Sequence, residues 1–174
     1  MGLPLLKARG PADELKKLSD LSRDLAQQYL RSAHATLGQL IRVPNLLGGV
    51  SLEREPRRYT RNFLFGDSSM SAWAIVWPPG SSTSIHDHHC SCCFAVLRGS
   101  LREIWFDAVG DDRAVKTAEA WRAPGYIACT LPSGPNIHQM TNDRSEEAIS
   151  IHIYGFDHRS RASSVEREYR LASL

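Results

Sequence analysis

Beyond residue 56 the chain is a succession of short segments rich in β-branched and aromatic residues, each followed by a turn signal. Clusters of Gly, Pro, Ser and Asp separate the segments, as in Pro78-Pro79-Gly80 and Gly110-Asp111-Asp112. Short strands at this spacing predict an antiparallel sandwich or a small β-barrel. The predicted strands cover residues 59–65, 72–77, 84–88, 94–97, 101–106, 115–119, 126–130 and 148–154.

The first fifty residues have a helical pattern instead. Apolar residues recur at helical spacing between charged ones, which predicts an amphipathic helix packed by one face; they are Leu15, Leu18, Leu21, Leu25 and Tyr29. A second, shorter helix is expected over residues 32–42, because Pro44 and a glycine pair follow it. The length fits one domain spanning 1–174, with a helical part at 1–50, the barrel at 57–156 and a charged tail at 157–174. The tail reads as a surface strand, an arm or a short helix.

Composition and charge narrow the classes of partner. Lys and Arg number 21 against 19 Asp and Glu, a formal charge of +2, and no run of five like charges occurs. We therefore expect neither a nucleic acid nor a membrane partner. No apolar run approaches the ~18 residues that cross a bilayer, and the N-terminus becomes charged too early for a signal peptide.

The four cysteines favour a reducing compartment. Cys90, Cys92 and Cys93 lie within four residues of one another, which is poor spacing for a disulfide framework, and the fourth is Cys129. We expect free thiols in a cytoplasmic monomer.

A His-x-His pair in the middle of the chain is the first candidate for chemistry. Residues i and i+2 of a strand point to the same face, so His86 and His88 would aim their rings at a common point. Imidazole nitrogens suit zinc, copper, iron and nickel. A third histidine, His138, follows a proline-rich turn at the start of another expected strand, and it would complete a three-imidazole face if that strand lay beside the first. The alternative is a pair of solvated surface histidines.

Two further patterns place polar side chains on strand faces. Ser150, His152 and Tyr154 alternate with isoleucines. They would either be solvated or form a chain of hydrogen bonds that holds the phenol in one orientation. Tyr59 and Arg61 share a face of the first strand, where the guanidinium would be solvated at an edge or bind a carboxylate with its two-pronged geometry.

Together these segments resemble the cysteine dioxygenases, the thiol dioxygenase branch of the cupins, over roughly residues 57–156. The cupin pattern is a glycine, five residues, His-x-His and then a glutamate; Gly80, His86 and His88 match it, and Cys93 stands at the glutamate position. That replacement is typical of the animal-type enzymes. The resemblance implies a mainly β, cupin-type small β-barrel, or jelly-roll sandwich, with N-terminal α-helices.

The resemblance also implies an activity and the residues that perform it. The activity is oxidation of L-cysteine by O2 to cysteine sulfinic acid at a mononuclear non-haem Fe(II). The implied iron ligands are His86, His88 and His138; the implied substrate-binding residues are Arg61, Tyr59 and Trp77; the implied catalytic residues are Tyr154, His152, Ser150 and Cys93, the last through a thioether cross-link to Tyr154.

Two departures from the family pattern and several alternatives remain. Gly155-Phe156 follows the tyrosine where animal enzymes have Ser-Pro, and Cys90 and Cys92 are extra cysteines beside the site. Another thiol acid, such as 3-mercaptopropionate, is an alternative substrate. A cupin isomerase or hydrolase using zinc or manganese is a second alternative, although such proteins usually keep the glutamate. A non-catalytic zinc or copper store built from the histidines and cysteines is the third.

Overall fold

The computed structural model describes residues 10–132 and 136–172. Within them the chain forms one α-helix and ten β-strands. In chain order these are α1 (Pro11–Leu40), β1 (Thr60–Gly66), β2 (Ser71–Trp77), β3 (Ile85–His88), β4 (Cys92–Arg98), β5 (Leu101–Ala108), β6 (Arg113–Arg122), β7 (Ile127–Thr130), β8 (His138–Thr141), β9 (Ala148–Tyr154) and β10 (Val165–Leu171).

The described strands form two five-stranded sheets. The first has the order β1-β2-β9-β4-β7, and the second has the order β10-β3-β8-β5-β6. The outer strands of the second sheet also meet, since β10 pairs in parallel with β6 at Arg170↔Arg113 and Leu171↔Ala114. The expected mainly β, cupin-type jelly-roll fold is confirmed, but as two sheets rather than as one continuous barrel around the whole molecule.

The helical region differs from the expectation of two helices. The helix α1 continues without a break to Leu40, because no proline or glycine interrupts it before Gly38 and Ser32 lies in its interior instead of capping a second helix. Its start agrees with the sequence, with Pro11 in the first turn after Gly10.

The leucine stripe of α1 is not packed as the sequence pattern predicted. Leu15, Leu18, Leu21 and Leu25 are 53–68% exposed, and the buried residues of the helix are Ala33 and Leu37. A helix of this length is about 45 Å long, whereas the strands that it contacts, β4 and β7, are short. Only the C-terminal part of the helix therefore has a sheet beneath it.

Strand β9 lies at the centre of the first sheet, and every residue in it is buried. It pairs with β2 on one side and with β4 on the other. Two of its isoleucines, Ile151 and Ile153, pack with Ala33 and Leu37 of the helix. The alternate residues of β9 face the opposite way, into the space between the two sheets.

The tail forms a strand, one of the three readings that the sequence left open. β10 pairs with β3 at Val165↔His88 and Glu168↔His86, so the C-terminal segment covers the strand that bears the His-x-His pair. Within residues 10–132 and 136–172, no helix has the length and apolar character needed to cross a membrane.

Candidate metal centre

Three histidines from two adjacent strands converge on one point. His86 lies directly opposite His138 in the antiparallel pair β3–β8, and His88 is on the same face of β3, two residues further along. The ligand nitrogens of the three residues all lie within 4.8 Å of one another, and all three side chains are buried. The convergence that the His-x-His spacing predicted is therefore present, and the third histidine completes it.

The loop before β3 brings the two strands together. Gly80 adopts a φ of 77°, a left-handed conformation that glycine adopts without steric cost. Its N–H donates to the carbonyl of Asn142 at 2.8 Å, just beyond β8, and Thr83 N–H donates to Met140 O at 2.9 Å. The glycine that the sequence singled out thus helps to fix the strand of His86 beside the strand of His138.

The rings have the protonation that a metal requires. Burial and the neighbouring His138 lower the pKa of His86 to about 4, while burial, His86 and His138 lower the pKa of His88 to about 2. Both imidazoles are therefore neutral at physiological pH. His86 Nδ1 lies 3.0 Å from the carbonyl of Ser84, which can only accept, so the ring proton is on Nδ1 and Nε2 keeps its lone pair.

A carboxylate holds the opposite side of the His138 ring. Nδ1–H of His138 donates to Glu103 Oε1 at 3.1 Å, so Nε2 is the ring nitrogen that faces the cluster. That Nε2 lies 3.1 Å from Nε2 of His88. This donor set fits a divalent transition metal.

Arg61 presents unpaired donors to the same cavity. Its Nη1 donates to Ala162 O at 3.0 Å, but Nε and Nη2 are buried without a hydrogen-bond partner among the described residues. The guanidinium lies 4.5 Å from the Trp73 ring centroid and 5.9 Å from that of Tyr154. Two unpaired, buried N–H groups on a cation form a site for an anion.

A chain of hydrogen bonds runs from Trp77 to Tyr154. Trp77 Nε1 donates to Ser150 Oγ at 2.8 Å. Ser150 Oγ lies 2.8 Å from Nε2 of His152, and Nδ1 of His152 lies 3.2 Å from the phenol oxygen of Tyr154. The hydrogen-bonded alternative for the polar face of β9 is the one observed.

Only the first hydrogen bond of this chain has a direction fixed by chemistry. An indole N–H only donates, so Ser150 Oγ accepts from Trp77. The directions of the Ser150–His152 and His152–Tyr154 hydrogen bonds depend on the tautomer of His152. Burial, with smaller contributions from His138 and Arg61, lowers the pKa of His152 to about 3, which keeps the imidazole neutral. Burial, with Cys92 nearby, raises the pKa of Tyr154.

The prediction for Cys93 is corrected by the register of β4 and β9. Cys93 lies opposite Ile153, on the face that packs against α1, and it is joined to Cys129 in a disulfide. Cys92 lies opposite Tyr154 on the cavity side. The HDHHCSCC stretch does not show which of two adjacent cysteines faces inward, because that depends on where the loop ends and the strand begins.

The disulfide also corrects the expectation that all four thiols are free. Cys93 and Cys129 are direct partners in the pair β4–β7, while Cys90 and Cys92 are free and buried. Burial raises the pKa of Cys90 to about 12 and raises that of Cys92 well above its usual range, so both are neutral thiols. Among the described residues, the cluster with metal-ligand spacing contains histidines and no cysteine.

The cavity between the sheets gathers most of the predicted site residues. Its volume is about 120 Å³, well below the roughly 300–1,000 Å³ of pockets for drug-sized ligands. A ligand of only a few heavy atoms fits it. The predicted residues that line it are Tyr59, Arg61, Trp77, His86, His88, His138, His152 and Tyr154; Ser150 acts behind them through His152, and Tyr59 stacks on Trp77 at 5.1 Å between ring centroids.

Comparison with known proteins identifies the family. Residues 52–160, more than half of the chain, match the model of the family "Cysteine dioxygenase type I". The chain belongs to this family. It is 31% identical to cysteine dioxygenase type 1 of Danio rerio over 104 residues, covering 56% of this chain and 51% of that protein. It is also 31% identical to the Homo sapiens protein over 105 residues, covering 56% and 50%.

A solved structure supports the fold alone. The crystal structure of an uncharacterized conserved protein with a double-stranded β-helix domain from Klebsiella pneumoniae superposes with a TM-score of 0.52 at 15% identity, covering 74% of this chain and 98% of that one. The chain spans about half the length of the curated relatives that it matches.

Proposed function

We propose that this chain is a cysteine dioxygenase that oxidises the thiol of L-cysteine to cysteine sulfinic acid. In the proposed reaction R–SH and O2 give R–SO2H, so both oxygen atoms end on sulfur and no further reductant is consumed. The observation that carries the proposal is the position of Arg61, which lines the same small cavity as the three-histidine cluster and has two buried nitrogens without a hydrogen-bond partner among the described residues. An anion site beside a metal site is what a small thiol acid requires.

His86, His88 and His138 would hold the metal, which we propose to be Fe(II). Three neutral imidazoles leave the ion its full charge, and ferrous iron supplies thiol deprotonation and reactivity with O2 when it is bound there. The chain's own contribution is to bury these rings and to hydrogen-bond Nδ1 of His86 and His138, so that Nε2 of each faces the cluster.

Arg61, with Tyr59, would bind and orient the substrate carboxylate. The guanidinium is already ordered by Ala162 O and by the Trp73 ring. A carboxylate would satisfy the two donors that lack partners, and a charge-assisted hydrogen bond of this kind contributes about 1.5–3 kcal/mol. Trp77 supports Tyr59 by stacking on it.

Tyr154 would direct its O–H at the bound reactants. In the His152 tautomer that we propose, Ser150 donates to Nε2 and Nδ1–H donates to the phenol oxygen, so the phenol proton is available to the cavity. The raised pKa keeps this proton on the phenol. Ser150 and His152 then act as positioning residues, because they fix which atom of the chain carries each proton.

We further propose that the thioether partner of Tyr154 is Cys92. The two residues are direct cross-strand neighbours and pack together with Cys90. A bond from Cys92 Sγ to a ring carbon of the phenol replaces one S–H and one C–H bond and releases two protons and two electrons, which the O2 used by the proposed activity accepts. Cys93 has no part in this proposal, since it lies on the other face of β4.

The site residues all come from one chain, so the proposed activity needs no second copy, and we propose a cytoplasmic monomer without a nucleic acid or membrane partner. The Cys93–Cys129 disulfide departs from what is usual in that compartment, where most thiols are kept reduced. A zinc or copper store is disfavoured because the described cysteines do not join the histidine cluster.

The test of the function is O2 consumption by iron-loaded protein supplied with L-cysteine, 3-mercaptopropionate or cysteamine. We expect uptake to be fastest with L-cysteine and to yield the sulfinate. Faster turnover of 3-mercaptopropionate would reassign the substrate, and uptake with cysteamine but not with the two acids would contradict the role of Arg61.

A further inference from the structure

Glu103 is a buried acidic residue that has no role in the proposed function described above. It lies on β5, is 2% exposed and is among the largest fully buried side chains. Its Oε1 accepts from Nδ1 of His138 at 3.1 Å, and its Oε2 accepts from Nε of Arg122 at 2.9 Å. Burying a carboxylate is costly unless it is paired and hydrogen-bonded, and here each oxygen has one partner.

Arg122 is itself held in place by two rings. Its guanidinium carbon lies 4.0 Å from the ring centroid of Tyr126 and 4.7 Å from that of Trp105. Trp105 is in turn the direct cross-strand partner of His138. Hydrogen bonds therefore connect three packed side chains in series, from Arg122 through Glu103 to His138 at the candidate metal site.

The other two histidines have weaker support on the side away from the cluster. His86 Nδ1 faces the neutral backbone carbonyl of Ser84, and His88 Nδ1 is buried without a hydrogen-bond partner in the part of the chain that the structure describes. Within that part, only the imidazole of His138 donates to a carboxylate. The three ligands are thus unequal, although they are the same residue type.

A buried ion pair alone is weak evidence for a stabilising role, because apolar replacements of similar volume are often as stable. The orientation of Glu103 is more specific, since one oxygen is directed at the ring nitrogen whose proton decides whether Nε2 can bind a metal. A carboxylate behind a metal-bound histidine fixes the ring and increases its basicity. It also places a negative charge near a centre whose ligands are all neutral.

We infer that Glu103 is the positioning residue of the metal centre: it locks His138 in the tautomer with a free Nε2 and supplies, from behind the ligand, the negative charge that three imidazoles lack. This inference rests on the proposed function, in that it takes His138 as a metal ligand. Arg122 holds Glu103 in place.

The test is metal affinity, measured without turnover. Metal-free protein is titrated with Co²⁺, whose visible absorption reports its ligands, in wild type, Glu103→Gln, Glu103→Leu and the control Glu119→Gln. Glu119 lies on the neighbouring strand β6, where its carboxylate pairs with Arg102 and Lys116 on the exposed side. Glutamine keeps the size and an acceptor but removes the charge, whereas leucine removes the hydrogen bond as well.

We expect Glu103→Gln to weaken Co²⁺ binding about 10-fold and Glu103→Leu up to about 100-fold, the range found when partners of ligand histidines are replaced. Glu119→Gln should bind like wild type. In the iron-loaded proteins, the reduction potential of Glu103→Gln should lie above that of wild type, because the lost negative charge favoured the more oxidised ion. A purely structural role would change thermal stability without shifting the potential or the Co²⁺ bands.

The outcomes separate the two proposals. If wild type binds Co²⁺ in a 1:1 ratio but Glu103→Gln has the same affinity, bands and potential, the role of Glu103 is overturned and the metal site stands. If wild type binds no Co²⁺, the proposed function fails and this inference fails with it. If Glu103→Gln does not fold, Glu103→Asp is tested instead, because aspartate keeps the charge but is too short to reach both Arg122 and His138. Co²⁺ binding by Glu103→Asp that equals that of wild type would overturn the inference.

Discussion

Cys92 lies directly across from Tyr154 on neighbouring antiparallel strands, with both side chains on the cavity side of the sheet. The adjacent Cys93 faces the helix and pairs with Cys129 instead. Because neighbouring residues of a strand point to opposite faces, only one of two consecutive cysteines can approach the tyrosine. The register selects Cys92.

The first prediction concerns the cross-link between these two residues. After turnover with iron, L-cysteine and O2, a peptide joining Cys92 to Tyr154 should appear with a mass lower by two hydrogens than the sum of its parts. Cys92→Ser should abolish this species, and the faster-migrating band expected on a denaturing gel should disappear with it.

Cys93→Ser is the matched control, because it alters the neighbouring residue on the opposite face. The cross-linked peptide should persist in this variant. Loss of the cross-link in Cys93→Ser together with its persistence in Cys92→Ser would contradict the register described above.

The second prediction concerns carboxylate recognition. Arg61→Ala should lower kcat/KM for L-cysteine by roughly one to two decades, as expected for the loss of a charge-assisted hydrogen bond of about 1.5–3 kcal/mol. Steady-state O2 uptake measures it. Arg58→Ala is the control, since Arg58 is an exposed arginine paired with Glu55; equal losses in both variants would point to a general change in charge instead of a specific site.

The third prediction concerns stabilisation by the metal. A ligand that binds only the folded state stabilises it by about 2.7 kcal/mol at a free concentration of 100 times its Kd. Adding Fe(II) or Co²⁺ to metal-free wild type should therefore raise the melting temperature, and a chelator should reverse the shift. His138→Ala should melt at the same temperature with and without the metal. A full shift in His138→Ala would exclude His138 as a ligand.

The fourth prediction concerns the pH dependence of the metal-free protein. His152 has a folded-state pKa of about 3, lowered from 6.5 by burial. Below pH 6.5 the unfolded chain therefore binds a proton at His152 that the folded chain does not bind. As a result, His152 makes the free energy of unfolding decrease as the pH falls below 6.5, and it has no such effect above that pH. The loss is about 1.4 kcal/mol per pH unit down to the folded-state pKa.

Replacing His152 by glutamine removes this titration. Urea unfolding at pH 7, 6 and 5 should show a shallower decline of the free energy of unfolding in His152→Gln than in wild type, whatever the absolute stability of the variant. Parallel declines in the two proteins would mean that His152 accepts a proton in the folded state as readily as in the unfolded one.

Much of the architecture follows from alternation and turn chemistry. The strand from Ala148 to Tyr154 was predicted at its observed bounds, because strict alternation and flanking polar residues mark both ends. The ends of β4 and β6 were predicted too short, since edge and turn residues such as Arg113 and Arg122 carry no apolar signal. The prediction of Cys93 failed for a related reason, because a loop of unknown shape separates His88 from the start of β4.

The helix shows a different limit of sequence reasoning. Its leucine spacing correctly indicated a helix, but periodicity describes one surface and says nothing about what covers it. Leu15 and Leu25 extend beyond the sheet and are exposed, whereas Ala33 and Leu37 make the buried contact. Small residues such as Ala33 contribute little to an apolar pattern even where the packing is closest.

The sequence pattern predicted no role for Glu103. The sequence does contain a signal for Glu103. It lies two residues after Leu101 and therefore on the same face of the strand, and a glutamate on a buried strand face requires partners. Sequence alone could not name them, because Arg122 and His138 come from two other strands. Three-dimensional pairing was needed to connect it to the metal site.

The most direct test supplies iron-loaded protein with L-cysteine under isotopically labelled O2 and follows the product by mass spectrometry. The proposed activity predicts cysteine sulfinic acid with both labelled oxygen atoms on sulfur, formed by wild type and lost in His138→Ala. Cystine without sulfinate, or sulfinate whose oxygen comes from unlabelled water, would contradict it.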